Sequence, residues 1–207
     1  MAVGAVLVHR EFFSVGYASA KQADLALATA VPGWTAAVNN GEALTNRAAR
    51  VNAVVFSDLE CPVCRKFEGT LQNVRAHHPG VGFVFVHFPL PGHRFAQIAA
   101  RASECAVRAG RFPQFVEAAY NKQDSLGLKS WGSYSAEAGI VDTVSFDRCV
   151  NETTPIARID SGIAIGHRLG VHGTPTVMVN QWRFNSVPTE QDLDRAIAAA
   201  ASGKRPF

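Results

Sequence analysis

The sequence has little of what marks a nucleic-acid-binding, membrane-spanning or repeat protein. Charged residues make up 18% of its 207 positions, and the net charge of +3 is not gathered into a Lys/Arg cluster. A basic patch, the usual footprint of nucleic-acid binding, is therefore missing from the sequence. There is no internal repeat, and low complexity is limited to an alanine-rich C-terminal end. What remains is an ordinary globular composition, 47% hydrophobic, in a chain long enough for one domain.

Long hydrophobic runs are also missing. The apolar start, Met1 to Val8, is well short of the roughly 20 residues that a transmembrane helix needs. No basic residue precedes it, as one would in a signal peptide. We hypothesise that it is the end of a longer hydrophobic segment that anchors or exports the natural protein; a loosely packed or disordered arm is the alternative. Residues 1–50 are assigned to this N-terminal arm, with a short edge strand, and residues 51–207 to an α/β domain.

Cysteine is scarce, with four residues in all, but two of them form one motif, Cys61-Pro62-Val63-Cys64. The apolar run over 51–56 predicts a strand before the motif. The segment after the motif carries apolar side chains at helical spacing, at Phe67, Leu71 and Val74. Pro62 suits the first helical position, where a backbone N–H has no intrahelical partner. The motif is therefore predicted to lie at the N-terminus of a helix that follows a strand.

This placement predicts redox chemistry. A thiolate at Cys61 would face unpaired backbone N–H groups and the positive end of the helix dipole, which together lower its pKa. Cys61 is therefore predicted to be the attacking thiol. Cys64 lies one turn further along the same helix face and is predicted to be the resolving thiol, which attacks a mixed disulfide formed at Cys61.

Two other interpretations compete with the redox interpretation of the motif. A zinc site needs two further ligands, yet Cys105 and Cys149 do not form a second such motif, and His77 and His78 are adjacent rather than spaced. A pair of buried structural thiols is the other interpretation. The strand before the motif and the helix after it favour the redox interpretation over both.

A second feature lies more than a hundred residues away. Residues 171–179 form a loop that ends in Thr174-Pro175 and continues into an apolar strand. A proline at this point fits the first position of a strand, where its missing N–H disturbs no ladder. The bond before it is a candidate for the cis form.

The two motifs together resemble those of a known family. Residues Phe56 to Cys64 resemble the "FSDFECPxC" segment of DsbA-like thiol:disulfide oxidoreductases, and Gly173 to Thr176 is similar to their cis-proline loop. The resemblance implies a thioredoxin fold with an inserted all-helical subdomain, placed at about 93–169. It also implies that Thr174-Pro175 is cis and packs beside the CxxC motif, where the backbone of Thr174 pairs with a substrate chain.

The resemblance also implies a function. Such proteins introduce disulfides into unfolded or reduced exported proteins, work in the periplasm or another extracytoplasmic space, and are reoxidised by a quinone-linked membrane partner. They need no metal or organic cofactor, and we expect a monomer that binds no nucleic acid. The dipeptide Pro62-Val63 lacks the histidine of the best-known member, which leaves the oxidising strength open. A reductase of the same fold and a redox-silent or zinc-binding module are the alternatives.

Other polar and cysteine residues complete the predicted site. Cys105 and Cys149 are predicted to form a structural disulfide, because the even cysteine count agrees with export; two separate buried thiols are the alternative. Asp58 and Glu60 are candidate proton shuttles, although as surface anions they would raise the pKa of a nearby thiol. A histidine near Cys61 would replace the missing dipeptide histidine. The candidates are His87, His93 and His172.

The remaining patterns give the order β-α-β, helical insertion, β-β-α. Residues 81–88 are nearly all apolar, as in a strand buried on both faces. Thr154 and Pro155 predict the start of the last inserted helix, and Gly170 its end. After Pro175 follow a hairpin around Asn180 and a last helix with a capping box at its start.

Overall fold

The structure, a computed structural model, describes residues 27–46 and 48–207. Within them, the strands and helices from residue 51 onward follow the order that the sequence patterns predict. The strands are β1 (Ala28–Ala30), β2 (Glu42–Ala43), β3 (Asn52–Ser57), β4 (Gly82–His87), β5 (Thr176–Val179) and β6 (Trp182–Phe184). The helices are α1 (Thr35–Asn40), α2 (Pro62–His77), α3 (Ala96–Arg108), α4 (Phe112–Asn121), α5 (Trp131–Glu137), α6 (Thr143–Asn151), α7 (Ala157–Arg168) and α8 (Glu190–Ala201).

The six strands form one sheet in the order β1-β6-β5-β3-β4-β2. The central strand β3 runs parallel to β4 and antiparallel to β5. Every residue of β3 and β4 is buried. Helices cover both faces of these strands, which explains why their sequences read as continuous apolar runs rather than alternating ones.

Alternate residues of the central strands point into two different hydrophobic cores. Val54 and Phe56 point to the face covered by α1 and α7, whereas Ala53 and Val55 point to the face covered by α2 and α8. The apolar stripe of α2 packs on this second face through Phe67, Leu71 and Val74. The helix that carries the CxxC motif is therefore fixed along its length by a row of buried side chains.

The helical insertion has its own core, which joins the sheet at the active site. Its centre is an aromatic group in which Phe115 contacts Tyr134 and Phe146. The same apolar cluster includes Cys61, Cys64 and Phe85. The Cys105–Cys149 disulfide joins α3 to α6 within this core, which is the pairing that the even cysteine count favoured. The CxxC motif thus lies at the junction of the sheet and the insertion.

The segment over 28–50, which the sequence analysis placed in the N-terminal arm, contributes to the sheet. Strand β1 pairs with β6 at one edge, β2 pairs with β4 at the other, and α1 packs against α7 and β4. Strands β1 and β2 are three and two residues long, which is too short for an alternating hydrophobic pattern to be recognised in the sequence. The predicted edge strand in this segment corresponds to β2. The apolar start at Met1 to Val8 lies outside the described residues. No helix in the described part has the length and apolar character to cross a membrane.

Candidate active site

Cys61 occupies the N-cap of α2. Its backbone is extended, with φ −71° and ψ 119°, and Pro62 follows at the first helical position. The Cys61 sulfur lies 3.4 Å from the carbonyl oxygen of Thr174, so the two distant motifs meet at the sulfur. Val63 beside it is 46% exposed, which leaves apolar surface open next to a sulfur that is itself largely covered.

The position of Cys61 lowers its pKa to about 5. The largest cause is a hydrogen bond from the Cys64 side chain, which stabilises the thiolate. Burial opposes it, while Thr174 and the backbone N–H groups of Val63 and Cys64 add to the lowering. The N–H groups are those that the first turn of a helix leaves without intrahelical partners. At neutral pH the Cys61 sulfur is therefore a thiolate.

Cys64 has the opposite character. It is 2% exposed, and burial raises its pKa far above the usual range of a thiol; the hydrogen bond with Cys61 raises it further. The Ser57 side chain acts in the opposite direction and lowers this pKa. Cys64 therefore remains a protonated thiol while Cys61 carries the charge. This division of charge matches a nucleophile and a resolving thiol.

We predict that alkylation as a function of pH distinguishes the thiols of Cys61 and Cys64 by their different pKa values. Alkylation of the reduced protein by iodoacetamide should follow one ionisation with a midpoint near pH 5, because only Cys61 has a lowered pKa. Mass spectrometry after short exposure should find the label on Cys61 alone. A midpoint near about 8.5, the value of a free cysteine, would contradict the geometry. The Cys64→Ala variant should have a higher midpoint than the native protein, because alanine removes the side-chain donor to the Cys61 thiolate.

The cis-proline loop forms the wall opposite the motif. The Thr174–Pro175 peptide bond is cis. The Thr174 hydroxyl is buried without an oxygen or nitrogen partner among the described residues, and its interaction with the sulfur contributes to the low pKa of Cys61. A cavity of about 330 Å³ adjoins the loop, with His172, Arg183 and Val187 in its lining. Thr174 and Pro175 of the loop also line this cavity.

Asp58 and Glu60 are held in the loop that precedes α2. The two carboxylate oxygens of Asp58 accept from the backbone N–H of Glu60 and of Leu90, each at 2.8 Å, and one also lies 2.6 Å from His93 Nδ1. Glu60 accepts from the backbone N–H of Phe95 at 2.5 Å. Both carboxylates therefore fasten the loop to the segment after β4. Their role as proton shuttles stays a prediction.

The three candidate histidines have different surroundings. His93 contacts Asp58; burial lowers its pKa, but the hydrogen bond and charge of Asp58 and the negative charge of Cys61 raise it overall. His93 is therefore the candidate on which the charge of Cys61 acts, and its role in stabilising the Cys61 thiolate stays a prediction. His87 is buried and pairs with Glu104 at 3.0 Å. His172 is exposed in the cis-proline loop.

The structure adds residues that sequence reasoning missed. The Gln123 amide donates to the carbonyls of Leu59 and Cys61, at 2.8 and 2.9 Å, and so ties the insertion to the active-site loop. Tyr120 lies 2.7 Å from the Ser57 hydroxyl beneath Cys64. Neither position carries a sequence signal, because each acts across more than 60 residues. Glu68 is buried one turn after Cys64, at a spacing that could have been noticed.

A metal centre was the other possibility for the motif. In the ranges 27–46 and 48–207, no three His, Cys, Asp or Glu side chains cluster so as to hold a metal ion. The cysteine pair is surrounded instead by hydroxyl groups, backbone amides and apolar side chains.

Comparison with known proteins identifies the family. A thioredoxin family model, Thioredoxin_4, matches residues 38–199, which include both motifs and the whole insertion. The chain belongs to this thioredoxin family. Its sheet and helical insertion are those of the DsbA-like thiol-disulfide oxidoreductases of the thioredoxin fold.

Solved structures with the same fold superpose over most of the chain. A thioredoxin-like oxidoreductase from Silicibacter pomeroyi is 25% identical with a TM-score of 0.69, covering 81% of this chain and 96% of that one. DsbA2 of Pseudomonas aeruginosa is 25% identical with a TM-score of 0.58, covering 75% and 91%. BdbD of Bacillus subtilis shares the fold, with a TM-score of 0.72 at 18% identity, over 86% and 99%.

The curated relatives are much longer proteins. The Na(+)/H(+) antiporter NhaA 1 of Mycolicibacterium gilvum is 32% identical over 155 residues, which are 73% of this chain and 25% of that protein. The antiporter NhaA of Herminiimonas arsenicoxydans is 29% identical over 157 residues, 76% of this chain and 25% of that protein. The chain therefore spans about a quarter of the length of these relatives.

Proposed function

We propose that this thiol-disulfide oxidoreductase is a dithiol oxidase that introduces disulfides into exported proteins. The observation that carries the proposal is the opposed pair of pKa shifts within one motif, lowered to about 5 at Cys61 and raised at Cys64. A stable Cys61 thiolate favours the reduced form of the pair. The oxidised form therefore gives up its disulfide readily to other thiols.

The proposed reaction has two exchange steps. A substrate thiolate attacks the Cys61 sulfur of the Cys61–Cys64 disulfide; a substrate–Cys61 bond forms, the Cys61–Cys64 bond breaks, and its electron pair goes to Cys64, which takes up a proton. A second substrate thiolate then attacks the substrate sulfur of this mixed disulfide and displaces Cys61 as a thiolate. The substrate is oxidised by two electrons and the enzyme is reduced by two.

The surface beside Cys61 suits an extended, unfolded substrate. The exposed Val63 offers apolar contact, and the cis-proline loop presents the Thr174 backbone next to the sulfur. We propose that the substrate chain lies along this loop toward the cavity that contains His172 and Arg183.

The proposed location is the periplasm or another extracytoplasmic space. A disulfide between Cys105 and Cys149, away from the active site, is typical of proteins in oxidising compartments. Turnover in that setting needs an external oxidant, for which we propose a quinone-linked membrane protein. We propose a monomer that needs no organic cofactor or metal, with membrane attachment through an N-terminal hydrophobic segment.

A reductase of the same fold is the second candidate. The Pro62-Val63 dipeptide favours it, since it places no histidine against the Cys61 thiolate. Oxidation and reduction of a substrate use the same atoms. They differ only in whether the surroundings keep the Cys61–Cys64 pair oxidised or reduced.

A substrate oxidation assay tests the proposed direction. Oxidised protein mixed with an equal amount of a reduced, unfolded protein containing two cysteines should transfer its disulfide within seconds to minutes, with one Cys61–Cys64 pair reduced per substrate disulfide formed. The Cys61→Ser variant is the control. Failure to oxidise the substrate, together with rapid reduction of insulin in the presence of dithiothreitol, would assign the protein to the reductases.

A further inference from the structure

A cavity lies beside the Cys105–Cys149 disulfide, in a part of the molecule that the proposed exchange does not use. Its volume is about 550 Å³, and both disulfide cysteines line it. None of its lining residues belongs to the CxxC motif or to the cis-proline loop. Small-molecule sites in proteins have volumes of roughly 300 to 1,000 Å³, so this cavity is large enough for a small organic ligand.

The walls of the cavity come from two segments that the disulfide joins. One wall is the C-terminal end of α3 with the turn that leads into α4, and the other is α6 with the turn before it. Cys105 lies in α3 and Cys149 in α6, so their bond holds the two walls together. Binding to a site that is already ordered costs less conformational entropy than binding to a flexible one. The disulfide therefore preorganises the cavity.

Part of the cavity lining is apolar. Ile140 and Phe146, which belong to the core of the insertion, line the cavity together with the disulfide. Val141 also lines it and is 96% exposed. Covering an exposed aliphatic side chain with an apolar group is favourable, because it removes apolar surface from water. This part of the lining therefore suits an apolar group of a ligand.

The rest of the lining is rich in arginine. Arg108 lies at the end of α3, Arg111 in the turn that follows and Arg148 on α6. The planar guanidinium group of arginine donates two parallel hydrogen bonds to a carboxylate or a phosphate, which makes arginine the usual residue for binding such anions. Three arginines around one cavity therefore indicate an anionic ligand.

Two carboxylates in the lining balance part of this positive charge. Glu152 lies 3.8 Å from the Arg108 guanidinium, and Asp142 accepts from the backbone N–H of Ser145 at 3.0 Å as the N-cap of α6. Arg111 has no ion-pair partner among the described residues. Three guanidinium groups against two carboxylates leave the lining with one positive charge in excess. A single excess charge matches a monoanion such as a carboxylate better than a dianionic phosphate.

We propose that this cavity binds a small amphipathic carboxylate, a molecule with one carboxylate group and an aliphatic body. Arg111 and the neighbouring guanidinium groups bind the carboxylate, while the aliphatic body covers Ile140 and Val141. A neutral apolar molecule would leave Arg111 without a partner, and a short hydrophilic anion would leave Val141 exposed. The ligand class therefore follows from the two halves of the lining together. The site is separate from the exchange at Cys61 and Cys64 and does not depend on it.

Calorimetric titration of the oxidised, full-length protein tests the proposal, with octanoate as the probe. Acetate supplies the carboxylate alone, and 1-octanol supplies the aliphatic body alone. Octanoate should bind at one site, at least about tenfold more tightly than either, since the loss of one charge-assisted hydrogen bond has an effect of this size. Its affinity should fall as the salt concentration rises, because salt screens the attraction between exposed charges.

Three variants locate the site. Arg111→Gln removes the unpaired charge, and Val141→Asp places a carboxylate at an exposed position of the lining; each should weaken octanoate binding about tenfold or more. Arg168→Gln is the matched control, because Arg168 is an exposed arginine at the end of α7 and does not line the cavity. It should bind octanoate with native affinity. All three variants should transfer disulfides at the native rate.

The possible results separate this site from its alternatives. Native octanoate affinity in both Arg111→Gln and Val141→Asp would overturn the proposal, and so would equal affinities for octanoate and 1-octanol. Sedimentation with phosphatidylglycerol vesicles, without binding of free octanoate, would also overturn it and would assign the arginines to a membrane surface. A native protein that binds octanoate but does not exchange disulfides would support this site and overturn the proposed function instead.

Discussion

Serine in place of Cys61 is expected to abolish disulfide exchange, with a loss of at least about a thousandfold in rate. The hydroxyl of serine is not ionised at neutral pH and cannot form the mixed disulfide. Nothing nearby can substitute for it, because Cys64 is buried and its thiol stays protonated. The rate of disulfide transfer to a reduced, unfolded substrate measures the effect.

The matched variant Cys64→Ser should behave differently. Cys61 can still attack a substrate disulfide, but no second thiol is present to resolve the product. Mixed disulfides between Cys61 and the substrate should therefore accumulate and be visible on non-reducing gels. Residual exchange by Cys61→Ser, or mixed disulfides trapped by that variant instead, would show that the roles of the two cysteines are reversed.

Removal of the second disulfide is expected to give the largest loss of stability. The Cys105–Cys149 bond closes a 44-residue separation and joins α3 to α6 inside the core of the insertion. Replacing both cysteines with alanine should lower the free energy of unfolding by roughly 2–5 kcal/mol, mainly because the unfolded chain regains freedom. Chemical denaturation of the oxidised protein measures the difference.

The activity of this double variant is the control. Neither cysteine takes part in the proposed exchange, so disulfide transfer at low temperature should remain near the native rate. Reduction of the native protein should remove the stabilisation by the Cys105–Cys149 bond, whereas reduction of the double variant should act only through its Cys61–Cys64 pair. Identical unfolding curves for native and variant proteins would rule out a stabilising role for the bond.

The centre of the fold was predictable because its signals are local. Each signal lies within a short segment of the sequence. The signals are the continuous apolar runs of β3 and β4, Pro62 at the start of α2, and the spacing of the apolar residues in α2. The same holds for the capping box of Thr189 and Asp192, whose side chains bond as its sequence indicates. The positions of Cys61, Pro62 and Cys64 on α2 follow from these local patterns alone.

The edges of the fold were less predictable. Strands β1 and β2 form by pairing with β6 and β4, which belong to distant parts of the chain. Thr154 and Pro155 predicted the start of α7, but the helix begins at Ala157 with Ile156 as its N-cap. The carbonyl of Thr154 instead accepts from Arg101 on α3. A tertiary contact therefore sets this boundary in place of the local capping signal.

The surroundings of Cys64 show the same limit in the active site. Ser57 ends a strand and Tyr120 lies on a helical face, and each position is ordinary when read alone. Their contact depends on how the insertion folds back over β3, as does the tie from Gln123 to the carbonyl of Cys61. The insertion thus supplies both the rigidity of the active-site loop and the polar groups beneath it. Neither contribution can be read from the spacing of residues along the chain.

The proposed oxidase activity depends on the low pKa of Cys61, which makes the Cys61–Cys64 pair an oxidant. The reduction potential of the Cys61–Cys64 pair tests this most directly, by equilibration with glutathione buffers and alkylation of the free thiols. We predict a value closer to about −120 mV, as in DsbA, than to about −270 mV, as in thioredoxin. A value at or below about −270 mV would contradict the account and would make the protein a reductase in need of an electron donor.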